Sequence, residues 1–202
     1  MPDRHADHNH RLAPCAVVGA RPIPSFWHAP DRYFLNVNIQ FKRLHEVDQA
    51  VIIELMNHPL VRRHMPMLSH PFGTEACEVF LASKEQLWSV HGYGPWAFEQ
   101  DGQFLGWGGL QAENGEPDLA LVLHPNHWGS GKHIIRLILS QAFGEMKFQS
   151  ITALLPPSRT RIRALFRLGF EKDGELWIGN QKFIRFRLNR IQYEANIAGH
   201  NR

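Results

Sequence analysis

The chain has 202 residues, of which 44% are hydrophobic and 20% charged, a composition typical of one soluble globular domain with a sizeable core. Its net charge of +3 comes without a block of like charges or a basic-aromatic array, so nucleic acid is not expected as a partner, although a basic phosphate pocket would fit. No apolar run is long enough to cross a membrane, no signal peptide begins the chain, and Cys15 and Cys77 lie in no metal-like spacing. These features predict a cytoplasmic protein with two free thiols, no metal and no membrane partner.

The first part of the chain divides by pattern into a leader and the start of a domain. Residues 1–32 contain prolines and scattered histidines without a sustained period, which predicts a loosely packed leader. Regular patterning covers residues 33–190, the predicted domain, and residues 191–202 are predicted to be a C-terminal tail. Alternation over residues 33–44 predicts a half-buried strand, and Asp48 to Met56 predicts a short helix. Thr74 is predicted to cap a second helix, which ends at His91-Gly92.

The same periodicities predict the remaining elements. In chain order they are a hairpin of strands 96–100 and 103–110, a strand at 118–123, a helix from about 131 to 146, a strand at 150–156, a helix that ends at Gly169, and a last hairpin around Gly179-Asn180. Large aromatics on the hairpins, Trp96, Trp107 and Trp177, are predicted to pack in the core, with a place beside a ligand cleft as the alternative.

The segment NHWGSGKHIIRLILSQAF, residues 126–143, follows the strand at 118–123 without a linker. A strand, a glycine-rich turn and a helix in this order aim backbone N–H groups and the positive end of the helix dipole at one point, which suits a phosphate. A tight connection whose glycines only relieve backbone strain is the alternative. Two rival phosphate motifs fail: a Walker A loop needs glycine at 126 and serine or threonine at 133, and a dinucleotide fingerprint needs glycine at 134. The chain has Asn126, His133 and Ile134 there.

The order of elements and two motifs resemble the GNAT superfamily of acyl-CoA N-acyltransferases, and in particular its RimJ/RimL-like branch. The first motif is LVLHPNHWGSG, which has Pro125, Trp128, Gly129 and Gly131 in register with the branch pattern and Asn126 at the usual Gln/Arg position. The second is Leu168-Gly169-Phe170 at the end of a helix. The similarity covers about residues 39–188. It implies an α/β (α+β) fold, a mixed, splayed β-sheet flanked by helices.

The resemblance also implies where acetyl-CoA, the expected co-substrate, binds. In the family the coenzyme pyrophosphate rests on the backbone of the glycine turn, and the pantetheine arm hydrogen-bonds to the preceding strand like an added strand. Carried over to this sequence, the implied coenzyme residues are Leu121, Val122, Leu123, Trp128, Gly129, Ser130, Gly131, Lys132 and His133. Glycine at 129 and 131 is expected because a side chain there would obstruct the phosphate.

The reaction implied by the family is direct attack of a neutral amine on the acyl thioester, without a covalent enzyme intermediate. It needs a base for the incoming ammonium and often an acid for the departing thiolate. Asp118 stands where the branch often has glutamate, so it is the candidate base, with a solvent-facing strand-end carboxylate as the alternative. Ser158 is the candidate acid, with a helix N-cap as the alternative. Leu165 at the family's tyrosine position and Ile135 at a common glutamate position depart from the pattern.

We therefore expect an acetyl-CoA-dependent N-acetyltransferase that acts on a primary amine, either a protein N-terminus or a small molecule. A homodimer is considered as well. The alternative is a non-catalytic, regulatory domain that binds coenzyme A and has lost the chemistry. Fold resemblance does not choose between the acceptors.

Overall fold

The computed structural model describes residues 38–68, 70–160 and 162–200. The predicted leader, Cys15 and the first residues of the predicted strand lie outside them. The strands are β1 (Ile39–Lys42), β2 (Pro95–Gln100), β3 (Gln103–Glu113), β4 (Glu116–Leu123), β5 (Ser150–Leu155), β6 (Glu171–Ile178) and β7 (Gln181–Asn189). The helices are α1 (Gln49–Asn57), α2 (Pro59–Arg62), α3 (Thr74–His91), α4 (Gly131–Ser140), α5 (Arg163–Arg167) and α6 (Arg190–His200).

The seven strands form one sheet in the order β1-β2-β3-β4-β5-β7-β6. All neighbours are antiparallel except β4 and β5, which are parallel and are joined through the crossover that contains α4. The structure confirms the predicted order of strands and long helices. It also confirms the α/β fold with a mixed sheet flanked by helices.

Hydrophobic cores cover both faces of the sheet. One core joins α4 to the sheet through residues such as Leu119, Leu123 and Ile138. The other joins α1 and α3 to Trp107, with Ala120 and Val122 packed against it. Because side chains alternate along a strand, Asp118 lies on the same face of β4 as Ala120 and Val122, the face toward α1 and α3.

Several local predictions are corrected by the structure. Thr74 is the first residue of α3 and Gly73 is its N-cap, since the Gly73 carbonyl already accepts the Cys77 N–H at 2.9 Å. The helix after the glycine turn changes at Gln141 into one wider π-helical turn. Trp96 and Trp107 are buried as predicted, but Trp177 is 68% exposed because it lies on the edge strand β6.

The segment predicted as a tail contains α6, which packs on the end of the α4 region. Tyr193 stacks on Phe143 with ring centroids 4.6 Å apart, and Arg190 donates to the carbonyls of Phe143 and Phe148, both at 2.7 Å. These contacts are long-range, so the local pattern of residues 191–202 did not indicate them. No helix in the described ranges is long and apolar enough to span a membrane.

Asn57, the last residue of α1, holds the segment after that helix in place. Its side chain accepts the Phe72 N–H at 2.9 Å and donates to the carbonyls of Ile53 and Phe72 at 3.0 and 2.7 Å. We expect Asn57→Ala to lower the free energy of unfolding by about 1–3 kcal/mol, because these backbone groups lose their partner. Urea unfolding measures the change. Asn57→Asp keeps the acceptor oxygen and loses the donor, so it should lower the free energy of unfolding by less than Asn57→Ala does. An unchanged midpoint for Asn57→Ala would contradict the prediction.

Candidate active site

The parallel strands β4 and β5 pair at a single register position, Asp118 with Thr152. Beyond it β4 continues to Leu123 and β5 to Leu155 without further pairing. The sheet therefore splays toward the carboxyl ends of these two strands, which confirms the predicted splay. A gap between parallel strands leaves backbone groups on both sides that an extended ligand can bind.

The hydrogen-bond pattern shows which backbone groups of β4 face this gap. The His124 N–H donates to the Leu105 carbonyl at 2.8 Å, and in antiparallel pairing only every second residue bonds to the same neighbour. Val122 and Ala120 thus direct their N–H and C=O groups to β3, whereas Leu119, Leu121 and Leu123 direct theirs toward β5. The Leu123 carbonyl accepts Trp128 Nε1 at 3.0 Å, so the indole folds back over the strand end. Of the predicted pantetheine-binding residues, Leu121 has its backbone best placed.

Asp118 lies at the point where the two strands part, and only 6% of it is exposed. Thr152 Oγ1 donates to its carboxylate at 2.8 Å, and the Leu154 backbone N–H contributes a second hydrogen bond. Burial nevertheless raises the pKa of Asp118 to about 7, with further small increases from Glu113 and Glu116. The alternative of a solvent-facing carboxylate is excluded, and a carboxyl group that exchanges its proton near neutral pH suits a general base.

Arg187 anchors the strands next to Asp118. It lies opposite Thr152 in the β5–β7 ladder, and its guanidinium donates to both carboxylate oxygens of Glu116, at 2.7 and 3.0 Å. It also donates to Asp173 at 2.7 Å and to the Ser150 hydroxyl at 3.1 Å. The hydrogen bond from Arg187 holds the pKa of Glu116 below its usual value. Glu116 is thus an ionised structural partner, which leaves Asp118 as the better base.

The turn after β4 is tighter than the sequence indicated. Residues Pro125–Ser130 form a 3₁₀ turn, capped by His124 Nδ1, which accepts the Asn126 N–H at 3.3 Å. The Gly131 N–H donates to the Trp128 carbonyl, so this group, expected to point at a phosphate, has an internal partner. Lys132 and His133 occupy the next positions of α4, directly after this turn. The first turn of α4 contains no acidic residue, Lys132 lies in it and Arg136 follows in the next turn, so the helix start is basic. Burial and the charge of Arg136 lower the pKa of His133, which favours its neutral form.

The two glycines of the turn have different surroundings. A side chain at Gly129 would meet no atom within 4 Å, so it would project into open space above the turn. A Cβ at Gly131 would lie 3.4 Å from Leu123 Cδ1 and 3.8 Å from Leu121 Cδ2, in ordinary contact with the sheet. Gly129 is therefore the position where a larger residue would obstruct a ligand without disturbing the fold.

Ser158 is exposed in the turn that follows β5. It does not cap a helix, because α5 begins only at Arg163 and its N-cap is Ile162, so the alternative role for Ser158 is wrong. Leu165, at the family's tyrosine position, is buried in the core and serves packing. Thr152 was not identified from the sequence, since only the pairing of β4 with β5 brings its hydroxyl to Asp118. The described residues contain no cluster of three or more side chains that could hold a metal ion.

A splayed parallel strand pair, a buried carboxyl group at the point where the two strands part and a basic helix start thus lie at the carboxyl ends of β4 and β5. Residues 38–171 match the family model described as the acetyltransferase (GNAT) domain. The chain therefore belongs to the GNAT acetyltransferase family, and it is an acyltransferase enzyme. GNAT acetyltransferases use acetyl-CoA.

Solved structures of this family share the fold at low sequence identity. A GNAT-family acetyltransferase from Bordetella pertussis is 16% identical, with a TM-score of 0.61, over 74% of this chain and 94% of that one. The aminoglycoside acetyltransferase AAC(6')-Ib, crystallised with coenzyme A, is 17% identical, with a TM-score of 0.62, over 79% and 98%. Mutant forms of the spermidine/spermine N-acetyltransferase SpeG from Vibrio cholerae are 15% identical, with a TM-score of 0.59, over 79% and 98%. A search of curated proteins finds no significant match.

Proposed function

We propose that this enzyme transfers the acetyl group of acetyl-CoA to a primary amine by direct attack, as a member of the RimJ/RimL-like branch. The observation that supports the proposal most directly is the burial of Asp118 at the vertex of the β4–β5 gap. The vertex is the Asp118–Thr152 pair, beyond which the two strands part. The pantetheine arm would enter the gap and bond to the backbone of Leu121, and the pyrophosphate would lie against Gly129, Ser130, Lys132 and His133. The amine would approach Asp118 from the side of α1 and α3.

In the proposed reaction the amine nitrogen attacks the thioester carbonyl carbon, and its proton passes to the Asp118 carboxylate, directly or through one water. The oxyanion is stabilised by a backbone N–H of the splayed strand. The C–S bond then breaks, the amide leaves, and the thiolate takes up a proton, for which Ser158 is the proposed donor. A pKa near 7 keeps a large share of Asp118 ionised at neutral pH, as this role requires.

The first test is thermal unfolding with acetyl-CoA, coenzyme A, ATP and NAD. A ligand that binds only the folded state stabilises it by about 2.7 kcal/mol at a hundredfold excess over its dissociation constant, which raises Tm by roughly 5–10 °C in a chain of this size. We expect this increase with acetyl-CoA and coenzyme A only.

A matched pair of variants locates the ligand. Gly129→Val should remove the increase without changing the Tm of the free protein, because its side chain occupies only open space in the absence of ligand. Gly144→Ala, also without neighbours within 4 Å, should keep the full response. A full response of Gly129→Val would refute the proposed coenzyme position, and coenzyme binding without turnover of any amine would favour the non-catalytic alternative.

The proposed cytoplasmic location rests on the low cysteine content, and Cys77 is a buried free thiol. A protein N-terminus or a small molecule is the proposed acceptor.

A further inference from the structure

The short helix α2 begins beside the end of β4. At its start, His58 contacts His124, which directly follows β4, with ring centroids 5.2 Å apart. Just after its end, the ring of His64 is close enough to Arg159, in the turn after β5, to feel its charge. The segment from 58 to 64 therefore begins beside the end of β4, and its last residue lies near the turn that follows β5. Met56 and Val61 pack in the core on the same face as Asp118, so this segment borders the side from which the amine would approach.

Three polar groups in this border have no partner of opposite charge. Arg63 and Arg159 lie at the surface, and neither forms an ion pair within the described residues. The Nδ1 atom of His64 is buried and has no hydrogen-bond partner there. A buried polar atom without a hydrogen-bond partner is costly, so the His64 Nδ1 atom with two surface arginines near it is a candidate for a function outside folding.

Arg62, the neighbour of Arg63 in the chain, differs from it because its guanidinium forms hydrogen bonds within the fold. Arg62 donates to the carbonyls of His70 and Leu68 at 3.0 and 3.1 Å, and its guanidinium is fixed by the fold. Arg63 and Arg159 have no such role. Burial is the largest cause of the lowered pKa of the His64 ring, and the charges of Arg159 and Arg63 lower it further. Partial burial lowers the pKa of Arg159, and no carboxylate in the described part of the chain offsets this effect. An anion placed among these three groups would favour their charged forms and offset the repulsion between them.

We propose that the acceptor is an amine that carries a carboxylate or phosphate group, which Arg63, Arg159 and His64 bind at the open end of the gap. This inference rests on the proposed acetyl transfer and specifies its substrate class. Thr152, beside Asp118, and Leu155, at the end of β5, are three residues apart, a distance of roughly 10 Å along a strand. Asp118 would hold the amine near Thr152, and Arg159 would hold the anion beyond Leu155. The amine and the anion of the acceptor are thus separated by about 10 Å, as in an acidic peptide or a long amino acid.

The test compares matched acceptors that differ only in charge at the far end, with release of the coenzyme A thiol as the readout. The first pair is the C-terminally amidated peptides Ala-Glu-Glu and Ala-Lys-Lys, so that only their side chains differ in charge. The second pair is 6-aminohexanoate and its uncharged amide, and spermidine is tested as well. We expect kcat/KM to be at least tenfold higher for the acidic member of each pair. The peptide pair and the small-molecule pair together distinguish a protein N-terminus from a small amine. Equal rates within both pairs, or a preference for Ala-Lys-Lys or spermidine, would overturn the proposal.

Variants assign the effect to the two arginines. Arg159→Gln and Arg63→Gln should each raise KM for the preferred acidic acceptor about tenfold, because each removes a charge-assisted hydrogen bond. KM for acetyl-CoA should stay unchanged, and the Arg63→Glu/Arg159→Glu double variant should prefer Ala-Lys-Lys. Arg167→Gln, an exposed arginine on α5, is the matched control and should leave all constants unchanged. A higher KM for acetyl-CoA instead would assign Arg159 to the coenzyme and overturn the proposal.

A binding measurement separates failure of this proposal from failure of the transfer reaction. Thermal unfolding with Ala-Glu-Glu, in the presence of coenzyme A, should show stabilisation that the double variant loses. Stabilisation without turnover would support the anion site and refute acetyl transfer. Turnover of amines without charge preference, or no stabilisation by Ala-Glu-Glu, would refute the anion site.

Discussion

Asp118→Asn is expected to lower kcat about 10²- to 10⁴-fold while acetyl-CoA binding stays unchanged, because the variant cannot take the ammonium proton. Asparagine has nearly the same shape and can still accept the hydrogen bond from Thr152, so the vertex of the gap should keep its geometry. Steady-state kinetics and acetyl-CoA-induced thermal stabilisation together measure the two effects. Full turnover of the variant would remove Asp118 from the mechanism.

The pH dependence gives an independent check of the same assignment. Since the pKa of Asp118 is raised to about 7, kcat/KM of the wild type should rise as the pH increases through 7 and the base loses its proton. The hydrogen bond from Thr152 favours the ionised form, so its removal in Thr152→Val should raise this pKa further. The rising limb should then move to higher pH. A limb that stays in place in Thr152→Val would show that another group limits the rate.

Burial of this carboxyl group also links activity to stability. The pKa of Asp118 is higher in the folded state than in the unfolded chain. Its favourable contribution to the free energy of unfolding is therefore fully present below about pH 4 and is lost as the pH rises through 7. A shift from 3.8 to about 7 corresponds to a cost of about 4 kcal/mol once the group is ionised. The neutral amide of the Asp118→Asn variant carries no such cost, so this variant should be the more stable protein at pH 8 and similar to wild type near pH 4.

The pattern of the sequence was sufficient for the elements whose contacts are local. The Asp101-Gly102 hairpin forms as predicted because both residues adopt positive φ, 52° and 74°, as the tight turn requires. Asp48 precedes α1 and caps it by accepting the Ala50 N–H at 2.8 Å. The glycine turn between a strand and a helix followed from the pattern of residues 118–143. The splay followed from the resemblance to the family, and the structure confirms it.

The parts that sequence reasoning missed depend on distant pairings. Thr152 reaches Asp118 only because β4 and β5 meet at one register position, and no spacing in the chain encodes that contact. Trp177 has the pattern of a core residue but lies on an edge strand, where one side has no neighbour. Arg63 and Arg159 are far apart in the chain, and only the tertiary fold brings both close enough to His64 for their charges to lower its pKa.

Gly106→Ala is expected to destabilise the fold by about 3 kcal/mol and to lower Tm by roughly 6–12 °C. Gly106 has a φ of +146°, and a Cβ there would lie 2.2 Å from the Val122 carbonyl oxygen and 2.7 Å from Leu123 Cα. Neither atom can move without displacing β4. Gly144→Ala, with open space around it and no positive φ, is the control and should keep the wild-type Tm or exceed it.

The same substitution should act on the coenzyme site, because Val122 and Leu123 belong to the strand that borders the gap. Gly106 and Gly108 let β3 lie unusually close to β4: a Cβ at Gly108 would be 2.5 Å from the Ala120 carbonyl oxygen. A side chain at Gly106 pushes β4 away from β3, toward β5, and so narrows the gap that the pantetheine arm would enter. We therefore expect Gly106→Ala, measured below its Tm, to bind acetyl-CoA more weakly than Gly144→Ala does. A Tm of Gly106→Ala within two or three degrees of wild type would contradict the predicted destabilisation. Normal binding of the coenzyme would show that β4 can move without affecting the gap.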